Sequence, residues 1–171
     1  LAGPSAMSTM PMAPSPDFDT LTIADIQRCY EFRICIETMS ARLAASRQDA
    51  AALDEIGTAL SLMQGATDSQ THREDADFAF HLAIAKAANN QYFEASMRAL
   101  REHIYVGMKL HGQSLMTDGE KALKQVFDEH SAIFAAIRDG DGDAAERLMR
   151  GHLTHSRDRL FGGKLIDLSR G

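Results

Sequence analysis

From Thr22 onward, apolar residues return every three or four positions in segment after segment, and the breaks between segments are short. That period predicts helices, and no stretch shows a credible strand alternation. The first helix is expected over Thr22–Ser46, opened by a capping box of Thr22 and Asp25. Ile23, Ile26, Tyr30, Ile34, Met39, Leu43 and Ala44 give it an apolar face. A second runs from Asp49 to Gln64, with Leu53, Ile56, Leu60 and Met63 inward and Gly65 as its stop. A third spans His72 to Ala88 and ends at Asn89-Asn90, since Asn tolerates the left-handed position after a helix. A fourth covers Gln91–His111 through Phe93, Met97, Leu100, Ile104 and Met108, with Gly112 opening a loop. A fifth runs Asp118–Arg138, and a sixth starts at Asp141 or Asp143 and reaches Leu160. Helices joined this closely pack as antiparallel neighbours, so the expected fold is an all-α antiparallel bundle of six to seven helices.

Composition sets the surroundings of that bundle. All four prolines fall within residues 1–18, together with Ser, Gly and Met, so residues 1–20 read as a linker or disordered tail. The helical domain then occupies 21–162, and 163–171 read as a frayed C-terminal tail. The chain opens on Leu rather than Met, as a fragment or processed product would. A formal net charge of −6 argues against this chain gripping nucleic acid by itself, which needs a basic face. Cys29 and Cys35 match neither a redox nor a zinc-knuckle spacing and read as small buried or half-buried thiols of a reducing cytosol. No apolar run is long enough for a membrane span and no signal peptide is visible, so the expected location is cytoplasmic, away from membranes.

Inside the third helix lies the stretch DFAFHLAIAKAANN, Asp77 to Asn90. Asp77 and His81 stand four apart on one face, about 5–6 Å between their Cβ atoms. They flank the apolar stripe of Phe80, Ile84, Ala87 and Ala88, where an unpaired polar group is costly. Either they bond each other or they share a cation. Two further histidines, His130 and His152, border the apolar stripes of the fifth and sixth helices. A bundle core brings such faces together, which is how these folds build metal sites. Three imidazoles and one carboxylate suit zinc first, with nickel, manganese or iron as alternatives. His155 is the rival to His152, whereas His72, His103 and His111 read as exposed or rim residues. Arg33 and Glu37, four apart, are either a surface ion pair or a pair with Arg33 facing an inner pocket. The run DGDGD at 139–143 lacks the twelfth-position Glu of a calcium loop, where Arg150 stands, and reads as a corner.

The stretch from Asp77 resembles the D-x-x-F-H-x-x-I-A-x-A-x-x-N signature of the FCD domain, the C-terminal effector-binding domain of the FadR subfamily of GntR transcription regulators. Glu129–Leu153 is similar to that family's E-H-x-x-I-x-x-A-I-x-x-G-D block, and Tyr30–Ala45 to its first-helix pattern, with Ile36 where the family has Leu. The resemblance implies a divalent metal held in a central cavity by Asp77, His81, His130 and His152. It implies Arg33 as the anchor for the carboxylate of a small organic acid, a homodimer, and operator DNA contacted only through a separate N-terminal winged-helix domain not present in this chain.

The expected function is therefore a sensor and not an enzyme: an effector-binding and dimerisation domain whose ligand state changes DNA binding elsewhere. The alternative is a metal-dependent hydrolase using the His3Asp set to activate water. Against it, no general base is apparent, because Glu129 should point about 100° away from His130 on its helix. Arg101, Tyr105 and Lys109 of the fourth helix stay open as pocket residues.

Overall fold

The computed structural model describes residues 22–164 and 166–169. These residues form seven helices: α1 (Ile23–Arg47), α2 (Ala50–Asp68), α3 (Glu74–Ala87), α4 (Gln91–Ala99), α5 (Arg101–Asp118), α6 (Glu120–Arg138) and α7 (Gly142–Phe161). No strand occurs among the described residues. The linker expected over 1–20 lies outside them.

The local signals work as their chemistry dictates. Thr22 and Asp25 bond reciprocally at the start of α1, the Thr22 hydroxyl accepting from the Asp25 amide at 3.1 Å. Asp49, Asn90 and Asp141 cap α2, α4 and α7 through their side-chain oxygens. Asn89 takes the left-handed conformation, φ 49°, between α3 and α4, and Gly140 does so at φ 75° in the DGDGD corner.

Two expected breaks move. The single helix predicted over 91–111 bends at Leu100, φ −100° and ψ 10°, with no Gly or Pro there. The bend lets both halves follow α3: Met97, Ile104 and Met108 close over Phe78 and Ala85. Beyond it, α5 runs straight through Gly112, the expected loop start, and ends at Gly119, φ 88°. Gly112 serves close packing instead, because a Cβ there would lie 2.3 Å from His72 Nδ1. Gly65 likewise does not stop α2, which continues to Asp68. A helical glycine costs about 1 kcal/mol against alanine, and tertiary packing outweighs that.

The helix α3 is the hub, touching α1, α2, α4 and α5, while α1 lies along α7 and α6 pairs with α7. Its small residues, Ala76, Ala83 and Ala87, meet Ala41, Ala44 and Ala45 of α1 in the main core beside Ile56, Phe80, Ile84, Ile133 and Leu153. Close helix approach follows from those alanines. It also rotates α1 from its expected face. Ile23 and Met39, predicted inward, are exposed, and the buried stripe runs Ile26, Tyr30, Arg33, Glu37, Ala41 and Ala44. Cys29 is half-buried as expected, whereas Cys35 is exposed; both are free thiols. Part of the segment expected to fray is held, since the Gln27 side-chain amide bonds the Ile166 main chain in both directions, at 3.0 and 2.8 Å.

Candidate metal centre

Asp77 and His81 sit one turn apart on α3, and His130 and His152 arrive from α6 and α7. All four are at least nine-tenths buried. The rings of His81 and His152 stack at 5.4 Å between centroids, and those of His130 and His152 lie 4.3 Å apart. Each of the three histidines presents a nitrogen within 4.8 Å of the others. Asp77 Oδ1 lies 3.3 Å from both His81 Nε2 and His130 Nε2. The four residues picked out by periodicity thus come together in one place. Phe80 stands edge-on to the His130 ring, 4.9 Å between centroids, and limits its rotation.

The spare nitrogens of His81 and His152 have carboxylate partners. His81 Nδ1 bonds Glu37 Oε2 very closely, and His152 Nδ1 bonds Glu129 Oε2 at 2.8 Å. A carboxylate behind an imidazole fixes its tautomer and raises the basicity of the opposite nitrogen. Glu129 was expected to point away, but its side chain reaches across from α6 to α7 and also bonds exposed His155 at 3.1 Å. His155, the rival ligand, is outside the cluster. Arg33 and Glu37 form a buried ion pair, Nε to Oε1 2.6 Å, and not a surface one. One chain of contacts therefore runs Arg33–Glu37–His81.

Three atoms in this cluster make no hydrogen bond despite full burial: Asp77 Oδ1, His81 Nε2 and His130 Nε2. Leaving one such group unpaired costs about 1–3 kcal/mol, and here they face one another. Donors of this kind, converging on one point, fit a divalent transition ion. Two of the four groups, Asp77 and His152, are held in the protonation state that ligation needs. Burial pushes the Asp77 carboxyl up, but His130, His72 and His81 outweigh it and hold it well below the usual carboxylate range. Burial, then the neighbouring His130 and His81, pushes His152 well below the usual imidazole range, which keeps it neutral and able to ligate. His81 moves the other way: burial lowers it, and the Glu37 charge more than restores it.

Two of the histidines expected at the rim belong to the surroundings of this centre. His72 is half-buried, and its Nε2 lies 3.2 Å from Asp77 Oδ2, so Oδ1 alone is left for the cluster. His111 is buried at 3% exposure. His103 is half-buried. On the outer side of α5, Arg101 lies over the Tyr105 ring at 4.8 Å and Lys109 is exposed. The interior beside the cluster is tight: a void of about 20 Å³ lies between His72, His130, Leu115 and Phe127. That is room for one water, far short of an organic acid.

Glu37 carried a sequence signal that apolar periodicity hides, since it shares a face with Arg33 and with Tyr30, Ala41 and Ala44. Glu129 carried one in the pair His152 and His155, three apart on α7 and both within reach of one carboxylate.

Fold and site together define an all-helical bundle domain with a buried carboxylate and three imidazoles converging at its centre. The chain belongs to the FCD domain family, whose profile matches residues 28–155. It is 31% identical over 138 residues to the HTH-type transcriptional regulator LutR of Bacillus subtilis, covering 81% of this chain and 63% of that protein. It is 29% identical to the galactonate operon transcriptional repressor of Escherichia coli, covering 84% of this chain and 60% of the relative. A putative L-lactate dehydrogenase operon regulatory protein of Escherichia coli is 30% identical, with 84% of this chain and 52% of the relative covered. The chain thus spans less than two thirds of the length of these relatives, all named as regulators and none as an enzyme. Among solved structures, Streptococcus agalactiae GntR shares the fold, with a TM-score of 0.64 at 19% identity over 82% of this chain and 62% of that one.

Proposed function

We propose that this chain is the metal-dependent effector-binding domain of a GntR-type transcription regulator, in the FadR subfamily. Asp77, His81, His130 and His152 hold one divalent transition ion, zinc first, with nickel, manganese and iron as alternatives. The observation that carries this is the convergence of three fully buried, unbonded atoms, Asp77 Oδ1, His81 Nε2 and His130 Nε2. When bound, the metal supplies a Lewis-acidic anchor for a carboxylate oxygen. Arg33 supplies the second anchor, a guanidinium whose planar donors match a carboxylate. Glu37 neutralises Arg33 until the effector arrives. Two relatives support an acid as effector: one is named for a galactonate operon and one for L-lactate dehydrogenase.

Because the void is so small, an effector enters only if helices separate. That separation is the signal: the ligand shifts the population of two helix arrangements by its differential affinity for them. A homodimer carries the change to operator DNA held by a separate winged-helix domain, in the cytoplasm. The regulator reading is favoured over a metallohydrolase because both carboxylates behind the cluster are committed through both oxygens, Glu37 to Arg33 and His81 and Glu129 to His152 and His155.

Elemental analysis tests the site. Wild-type protein loaded with zinc and desalted should retain about one equivalent per chain, while His130→Ala and Asp77→Ala should retain almost none. A folded alanine variant with full occupancy refutes the quartet.

A further inference from the structure

The inward stripe of α5 runs Ile104, Met108, His111, Leu115, and the three apolar members are each at most 2% exposed. A histidine at 3% exposure interrupts it. Its ring makes no hydrogen bond to any described residue, and it is not among the fully enclosed unbonded atoms, so its nitrogens touch space rather than packed side chains. Leu115, one turn further along the same stripe, lines the small void together with His72 and His130, so this face of α5 borders the cluster. Its position is fixed: Gly112, the next residue, sits so close to His72 that no side chain fits between them. Gly107, one turn earlier, packs on the Tyr30 ring. An imidazole held beside the donor cluster, with its nitrogens open and no partner in the protein, is placed to bond a small molecule that enters there.

We propose that His111 reads a hydroxyl next to the effector's carboxylate, so that the domain selects hydroxy acids over the corresponding plain acids. This rests on the reading that a carboxylate effector is anchored at the Asp77–His81–His130–His152 cluster. The chemistry favours a hydroxyl over a second carboxylate. A neutral imidazole donates one hydrogen bond and accepts another, which a hydroxyl can satisfy at either nitrogen. Burial keeps His111 uncharged at neutral pH, its pKa pushed down to about 4, so it offers a second anion no countercharge. A site whose polar group is left unpaired by the plain acid rejects that acid, whereas an apolar residue at the same place would not distinguish the two.

The test uses zinc-loaded protein and calorimetric titration with matched pairs of acids: glycolate and acetate, L-lactate and propionate, 2-hydroxybutyrate and butyrate. Wild-type protein should bind at least one hydroxy acid roughly tenfold or more tightly than its plain partner, the ratio expected for one buried hydrogen bond. His111→Leu, close in volume, should remove that ratio while leaving zinc content and affinity for the plain acid within about twofold. His111→Gln, which keeps a donor and an acceptor, should restore part of it. Plain acids bound as tightly as hydroxy acids, or a preference that survives in a folded His111→Leu, overturns the role of His111 alone. Zinc-loaded wild type that binds none of the six acids overturns the carboxylate-effector reading and this inference with it.

Discussion

Glu37 connects Arg33 to His81, so replacing it should damage two properties by separable amounts. Its carboxylate is 1% exposed, accepts from Arg33 Nε at 2.6 Å and faces His81 Nδ1. Glu37→Ala leaves a buried guanidinium without its partner, which should cost about 3–5 kcal/mol of folding stability. The pH dependence agrees in sign and size. Burial pushes the Glu37 carboxyl up, but Arg33 and His81 outweigh it and bring it to about 2 from 4.5. Its stabilisation is thus complete above about pH 4.5 and lost as pH falls toward 2, about 3 kcal/mol in order of magnitude. Glu37→Gln keeps the shape and one acceptor but removes the charge behind His81. Zinc affinity should fall about 10–100-fold, the usual cost of losing a carboxylate behind a metal-binding imidazole. Zinc competition against a chromophoric chelator reads the affinity, and thermal melts of the metal-free protein read the stability. A Glu37→Gln protein that is destabilised yet binds zinc within twofold of wild type would refute the argument. Glu37 would then serve Arg33 alone.

Two further expectations follow from the surroundings of the site. Gly112→Ala should destabilise the domain by about 1–3 kcal/mol in a chemical denaturation series, although alanine normally favours a helix, because the added Cβ overlaps the His72 ring that bonds Asp77. A melting temperature at or above wild type would contradict the packing there. His111, with a folded pKa of about 4 against an ordinary 6.5, takes up a proton more readily unfolded than folded. Its contribution is complete above about pH 6.5 and lost as pH falls toward 4, up to about 3 kcal/mol, and His111→Leu should flatten that limb of the stability–pH curve.

Much of the fold is legible because it is written in short stretches. The caps at Thr22, Asp49 and Asp141 depend on residues three apart, and each forms as its sequence demands. The apolar period of α3, α6 and α7 points His81, His130 and His152 inward without any knowledge of their neighbours. The breaks at Leu100, Gly65 and Gly112 were not legible. A bend without Gly or Pro, and glycines inside helices, reflect what lies across the gap: α3 for the bend and His72 for Gly112.

The amino-acid order by itself therefore determined that the chain is helical from Thr22 onward, where the caps at Thr22, Asp49 and Asp141 fall, and that Asp77, His81, His130 and His152 border apolar stripes, because each of those is settled over one or two turns of backbone. Only the tertiary structure decided what stands behind the donors. The close approach of α1 and α3 across their alanines turns Glu37 onto His81 and buries Arg33. The pairing of α6 with α7 brings Glu129 to His152, and the tight seat of α5 against His72 sets the face that carries His111 and Leu115 beside the cluster. Those neighbours depend on helix separation and rotation, which arise from the summed packing of distant side chains and have no local code.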